Sequence, residues 1–207
     1  MKNIAVFVSG GGTNLQALID ATKSGAVANG KISLVLSSKD DAYALTRAKN
    51  ENIPTQIVRR RDYPDEKEFS EQILEKIKPY DIDLIVTAGF MSVLSADFLK
   101  LYENRIINIH PALLPAFAGK GFYGLKVHEQ ALRRGVKLSG ATVHFANEIT
   151  DGGPIILQKA IEVKEDDTPE SLQKRIMASC EQPILVEAVN LFCEGRLKVK
   201  ENRVFIE

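Results

Sequence analysis

Three places in the chain carry residue types whose spacing could do chemistry. In Ile107-Asn108-Ile109-His110-Pro111 apolar and polar residues alternate. On a strand alternate side chains share a face, so Asn108 and His110 point one way and Ile107 and Ile109 the other. Their Cα atoms lie about 6–7 Å apart, and Pro111 keeps His110 extended. An amide N–H beside an imidazole suits stabilisation of a tetrahedral oxyanion and the movement of a proton. Two polar residues closing a strand end would read the same way. The second place is Ser9-Gly10-Gly11-Gly12-Thr13-Asn14-Leu15. Glycines allow the backbone close to a ligand, and a helix start offers free N–H groups and a positive dipole end, which together make a phosphate cradle. A tight strand-to-helix turn is the plainer reading. A dinucleotide site is disfavoured: Leu15 replaces the last glycine of the fingerprint, and the second strand ends in Ser37-Ser38 without an acidic residue. The third place is Asp151-Gly152-Gly153-Pro154, a polar turn or a carboxylate that holds a histidine protonated.

Other residues read more plainly. His144 alternates with Thr142 and Ala146 and reads as a hydrogen-bonded sheet residue. His128 falls inside a helix and reads as partly exposed. Arg59-Arg60-Arg61 reads as a solvated loop face. No His, Cys and carboxylate set has zinc spacing, and no serine or cysteine sits in a nucleophile motif.

The elements that must position these residues alternate in type. Strands are predicted at Asn3–Ser9, Lys31–Ser37, Thr55–Val58, Leu84–Thr87 and Ile106–Ile109. Helices are predicted over Asn14–Ser24, Ala42–Asn50 and Asp65–Lys78, the last with Phe69, Ile73 and Ile77 on one stripe. Strands separated by helices imply a doubly wound, mostly parallel α/β sheet. After a helix at Val127–Arg134, strands at Ala141–Ala146 and Ile155–Val163 are joined by a short turn, which suits an antiparallel addition at the sheet edge. Thr168 as N-cap and Pro169 at the first helical position start a long final helix towards Gly195, which Pro183 should kink or split. The 207 residues lack a linker or repeat, so one domain is expected. About 1–100 would be its phosphate-binding half and about 101–207 its catalytic half.

Composition narrows the class. Lys+Arg and Asp+Glu are both 27, a balance that argues against a nucleic-acid binder. Cys180 and Cys193 lie in a helix-like stretch without metal-type spacing, consistent with a reduced, cytoplasmic protein. The first strand begins without a secretory leader, and no apolar run is long enough to cross a bilayer.

Taken together, the motifs resemble the folate-dependent formyltransferase family, in its glycinamide ribonucleotide branch, over nearly the whole chain. The resemblance is carried by Ser9–Ala17, Ala88-Gly89-Phe90-Met91, Asn108–Pro115, Thr142-Val143-His144-Phe145 and Asp151–Gln158, in that order. It implies a Rossmann-like formyltransferase fold. It also implies transfer of a formyl unit from 10-formyltetrahydrofolate, as co-substrate, to the amine of glycinamide ribonucleotide. No tightly bound cofactor or metal, no nucleic acid and no membrane would be involved, and the protein would be a monomer or homodimer. By that likeness Asn108, His110 and Asp151 are similar to the family's catalytic trio. Gly12, Thr13 and Asn14 are similar to its ribose-phosphate cradle. Met91, Ser92, Val93 and Leu94, with the loop Asn147–Asp151 that includes Glu148, are similar to its pterin pocket, which Asn108 also borders. Glu181 is similar to a glutamate that contacts glycinamide, with its helix displaced by one residue. Ser92 departs from an arginine found in many members, and Glu66 from a basic residue that meets the folate tail, a role Lys67 could take. Ala116, Ala118 and Pro183 also depart from the pattern. Gly119-Lys120-Gly121 punctuates a loop that could close over the site.

Overall fold

A computed structural model describes residues 1–207. Strands β1 (Lys2–Val8), β2 (Gly30–Ser37), β3 (Thr55–Ile57), β4 (Leu84–Thr87), β5 (Ile106–His110), β6 (Leu138–Phe145) and β7 (Ile155–Glu162) form one sheet. Its order is β3-β2-β1-β4-β5-β6-β7. The strands are parallel from β3 to β5, and β6 and β7 are antiparallel additions. The chain reverses its direction of winding between β1 and β4, which places a crevice at the carboxyl ends of neighbouring strands.

Helices α1 (Thr13–Ser24), α2 (Tyr43–Asn50), α3 (Glu66–Ile77), α4 (Ala96–Leu101), α5 (Leu125–Arg134), α6 (Pro169–Ile176) and α7 (Gln182–Cys193) cover both faces. Because both faces are covered, the central strands are continuous apolar runs rather than alternating ones. Ile4, Val6 and Val8 of β1 join the larger core with Leu15, Leu18 and Ile19 of α1 and Leu185, Ala188 and Val189 of α7. Ala5 and Phe7 join the smaller core with Phe69, Ile73 and Ile77 of α3 and Phe98 of α4.

The long final helix is split, as Pro183 led one to expect, but the break lies just before the proline. Thr168 caps α6 in a reciprocal bond with Ser171, and Pro169 takes the first position. A π-helical turn at Met177–Glu181 then separates α6 from α7. Pro183 lies in the first turn of α7, where its missing N–H is tolerated, so the break precedes the proline. By length and composition, Pro169–Cys193 is the one helical stretch that could cross a bilayer. Half of its most apolar window is buried inside the protein, which is the packing of a core helix.

One helix and one hairpin were not expected. Helix α4 is short, but Ser95 caps it by accepting from the Phe98 N–H, with Asp97 in its first turn. Strands β8 (Leu197–Lys200) and β9 (Arg203–Ile206) form a separate hairpin. Its two turn residues, Glu201 and Asn202, have φ of 50° and 60°, the left-handed pair that matches strand twist in a two-residue hairpin loop.

Candidate active site

The crevice at the ends of β1, β4 and β5 gathers most of the expected residues. Ile107 and Ile109 belong to the larger core, leaving Asn108 and His110 on the opposite face, and β6 sets His144 and Thr142 directly across from them. Asp151, far along the chain, folds back beside this pair. Its Oδ1 lies 3.6 Å from His110 Nδ1 and 3.8 Å from His144 Nε2. Gly153 makes that return possible: a Cβ there would stand 1.8 Å from the Phe145 carbonyl. Asp151 itself has φ 56°, a left-handed backbone that only a strongly determined turn imposes on an aspartate.

Hydrogen bonds tie the cluster together. The Thr87 hydroxyl donates to Asn108 Oδ1 at 2.6 Å, and Asn108 Nδ2 bonds His144 Nε2 at 3.1 Å. His110 Nε2 donates to the Phe117 carbonyl at 2.8 Å, and the Gly119 N–H donates to Asp151 Oδ2 at 2.8 Å. His110 thus lies between the Phe117 carbonyl on Nε2 and the Asp151 carboxylate on the Nδ1 side. The loop after Pro115 thus already rests on the cluster. The Phe117 carbonyl occupies the Nε2 side of His110. Thr142 braces the start of this loop: its hydroxyl donates to the Ala112 carbonyl at 2.7 Å and accepts from Leu114 N–H and Gln158 Nε2, both at 3.0 Å. His144 is almost fully buried. Burial pushes its imidazole below the usual histidine range, opposed by its bond to the Phe145 carbonyl and by the Asp151 charge.

At the end of β1 the glycine turn leads into α1, whose N-cap Gly12 has no side chain to offer; the first N–H groups of the helix therefore face outward without a side-chain cap. The carbonyls of Gly10 and Gly11 turn towards α2, accepting from the Ala44 N–H at 3.1 Å and Arg47 Nε at 2.8 Å. A Cβ on Gly10 or Gly11 would meet open space, whereas one on Gly12 would stand 2.6 Å from Ala44 Cβ, at φ 72°. Gly12 is thus required for packing on α2, not for clearance on the ligand side. Thr13 is exposed, Asn14 buried. Asn14 Nδ2 donates to Glu181 Oε2 at 3.0 Å, and Asn14 Oδ1 is buried without a partner. The π turn accommodates one extra residue and sets Glu181, 4 % exposed, against α1. Burial pushes its carboxyl above the usual range, partly offset by the Asn14 bond.

The segment Met91–Leu94 is tied to the glycine turn, since the Met91 N–H donates to Ser9 Oγ at 2.9 Å. Met91 and Val93 are exposed, Ser92 is half-buried and Leu94 belongs to the smaller core. Asn147 and Glu148 line a hollow of about 510 Å³ with Lys100, Glu103 and Val199, which includes neither Asn108 nor His110. Glu66 and Lys67 both lie in the first turn of α3, where the Asp65 carboxylate accepts from the Lys67 N–H.

His128 differs from expectation. It is fully buried rather than partly exposed, and neither ring nitrogen has a partner. Burial, helped by the charge of nearby His110, pushes it down to about 4. The arginine run is only partly a solvated face: Arg59 and Arg61 pair with Asp40, and Arg60 lies 5.7 Å over the Phe69 ring.

Residues 2–189 match the family described as formyl transferase. The chain belongs to the formyl transferase family. Among relatives of this formyl transferase is the phosphoribosylglycinamide formyltransferase of Haemophilus influenzae, 39% identical over 207 residues, which covers 100% of this chain and 94% of that protein. A crystal structure of glycinamide ribonucleotide transformylase 1 from Symbiobacterium toebii is 42% identical with a TM-score of 0.93, covering 100% of this chain and 94% of the other. A formyltetrahydrofolate deformylase from Pseudomonas syringae is more distant, at 26% identity and a TM-score of 0.88. It covers 99% of this chain and 65% of its own. The doubly wound α/β sheet with its antiparallel edge is therefore the architecture of this family of enzymes.

Proposed function

We propose that this formyl transferase moves the formyl group of 10-formyltetrahydrofolate onto the amine of N1-(5-phospho-D-ribosyl)glycinamide, as a step of purine synthesis in the cytoplasm. The observation that carries the reading is the meeting of Asn108, His110 and Asp151 at the end of β5, one strand away from the glycine turn across β4. Residues 1–207 act as one domain, as a monomer or homodimer. The outward N–H groups of α1 at Gly12, Thr13 and Asn14 receive the phosphate. Glu181, against Asn14, faces the glycinamide part. Met91, Ser92, Val93 and Leu94, together with Asn147 and Glu148, border the pterin.

In the reaction the glycinamide nitrogen attacks the formyl carbon, and the carbonyl electron pair moves to oxygen. The Asn108 N–H and the His110 imidazolium receive that oxyanion, in a place where donors are fixed before charge develops. The Asp151 carboxylate, 3.6 Å from His110 Nδ1, lies beside the positive charge of that ring. Collapse of the intermediate breaks the bond from carbon to the folate nitrogen. That nitrogen gains a proton as the attacking amine loses one, so tetrahydrofolate leaves neutral at this atom. No step calls for a metal.

The test is an assay of purified protein with 10-formyltetrahydrofolate, with and without the ribonucleotide. Formylated product that forms only with both substrates supports transfer. Free formate released without the ribonucleotide would make the chain a hydrolase instead.

A further inference from the structure

An asparagine amide is nearly symmetrical in shape but opposite in polarity at its two ends. Whether Asn108 offers a donor or an acceptor to a reacting oxygen is decided by what holds it. Three contacts run in series through it: Thr87 Oγ1 to Asn108 Oδ1 at 2.6 Å, Asn108 Nδ2 to His144 Nε2 at 3.1 Å, and His144 Nδ1 to the Phe145 carbonyl at 2.9 Å. The last partner fixes the direction of the whole series, because a carbonyl can only accept. His144 Nδ1 must carry the hydrogen. In the neutral ring Nε2 is then bare and accepts from the Asn108 amide, so Oδ1 turns to the Thr87 hydroxyl. Turning the amide over would set Oδ1 against a bare ring nitrogen, with no hydrogen between them. The Thr87 hydroxyl has one alternative acceptor, the Ile107 carbonyl at 3.4 Å, which is far the longer contact. The burial of His144 supports the neutral ring. Asp151, at 3.8 Å, and His110 are the charged groups that face it, and they act in opposite directions.

We propose that Thr87 and His144 are positioning residues that lock the Asn108 amide with its second N–H turned to the reacting oxygen, the polarity being set by the Phe145 backbone carbonyl. The inference rests on the reading of Asn108 as an oxyanion donor and explains why that donor does not turn over. His144, which by its alternation is an ordinary sheet residue, thereby acquires a part in the reaction without touching substrate. Thr87 acquires the same part from the neighbouring strand.

Thr87→Val keeps the shape and the strand preference but removes the hydroxyl; Thr87→Ser keeps the hydroxyl. Both are assayed beside Asn108→Ala with 10-formyltetrahydrofolate and the ribonucleotide. Asn108→Ala should lose about 10²–10³ in kcat, the usual effect of deleting an oxyanion donor. Thr87→Val should lose about tenfold to a hundredfold in kcat with KM for both substrates changed less than about twofold, since orientation matters in the transition state. Thr87→Ser should remain within about threefold of the parent. Added to Asn108→Ala, Thr87→Val should cost nothing further, because the two act as one unit. If Thr87→Val does not fold, His144→Phe, which keeps a ring but offers no acceptor, should show the same loss confined to kcat. A parent-like kcat in the variant at Thr87 or His144, while Asn108→Ala is slow, overturns the positioning role alone. An unimpaired Asn108→Ala overturns both it and the reading beneath it.

Discussion

His128 offers a prediction whose size follows from its surroundings. The ring is fully buried on α5 with both nitrogens unpartnered, and it is held down from 6.5 to about 4. In the unfolded chain the same ring takes a proton below about 6.5. Between those values the unfolded state binds more protons, so stability falls as pH falls through this window and levels off below it. The drop from 6.5 to about 4, at about 1.4 kcal/mol per unit, amounts to about 3 kcal/mol in full and about 2 kcal/mol by about pH 5. His128→Leu removes both the titration and the two unpartnered nitrogens. Urea unfolding of parent and variant at about pH 7.5 and about pH 5 isolates the effect, since His110 and His144 are common to both proteins. The stability difference should move by about 2 kcal/mol in favour of the leucine variant between the two conditions. A difference that stays constant would mean that His128 is solvated or hydrogen-bonded, and the reasoning would fail.

Other outcomes follow from single contacts. Gly12→Ala should lower stability by about 1–3 kcal/mol, from the positive φ and the approach of Ala44, whereas Gly10→Ala should fold normally and raise KM for the ribonucleotide; thermal melts and kinetics separate the two. Thr142→Val removes one acceptor and one donor from the brace under Ala112 and Leu114, and should cost about 1–3 kcal/mol in urea unfolding together with a lower kcat. Activity should persist after dialysis against a chelator, as no group of His, Cys, Asp or Glu is arranged to hold a metal. Loss restored by one added metal would contradict this.

The parallel core was legible because its strands are short apolar runs bounded by turn residues, and α3 because Phe69, Ile73 and Ile77 repeat at helical spacing. The shared face of Asn108 and His110 followed from strand alternation alone. What joins residues across strands was not legible in this way. The pairing of Asn108 with His144 depends on the register of β5 against β6, which no local pattern specifies. The return of Asp151 depends on a left-handed residue and on the clearance at Gly153. The burial of His128 had a signal in the sequence: with Val127 and Ala131 it forms a helical stripe, and that stripe faces inward. The hairpin of β8 and β9 had one too, in two alternating runs separated by Glu201-Asn202. The break had its signal in Pro183, but its form as a π turn ahead of the proline did not, because such a turn inserts a residue without changing composition.

The central claim is that Asn108, His110 and Asp151 work as one catalytic unit, and its most direct test is the double-mutant cycle between His110 and Asp151. Steady-state kinetics with both substrates would be measured for His110→Ala, Asp151→Asn and the pair. His110→Ala should lower kcat by about 10²–10⁴. Asp151→Asn should lower it by about tenfold or more, and the double variant should lie within about threefold of His110→Ala alone. Losses that multiply, or an Asp151→Asn enzyme as fast as the parent, would reduce Asp151 to a turn residue and contradict the account.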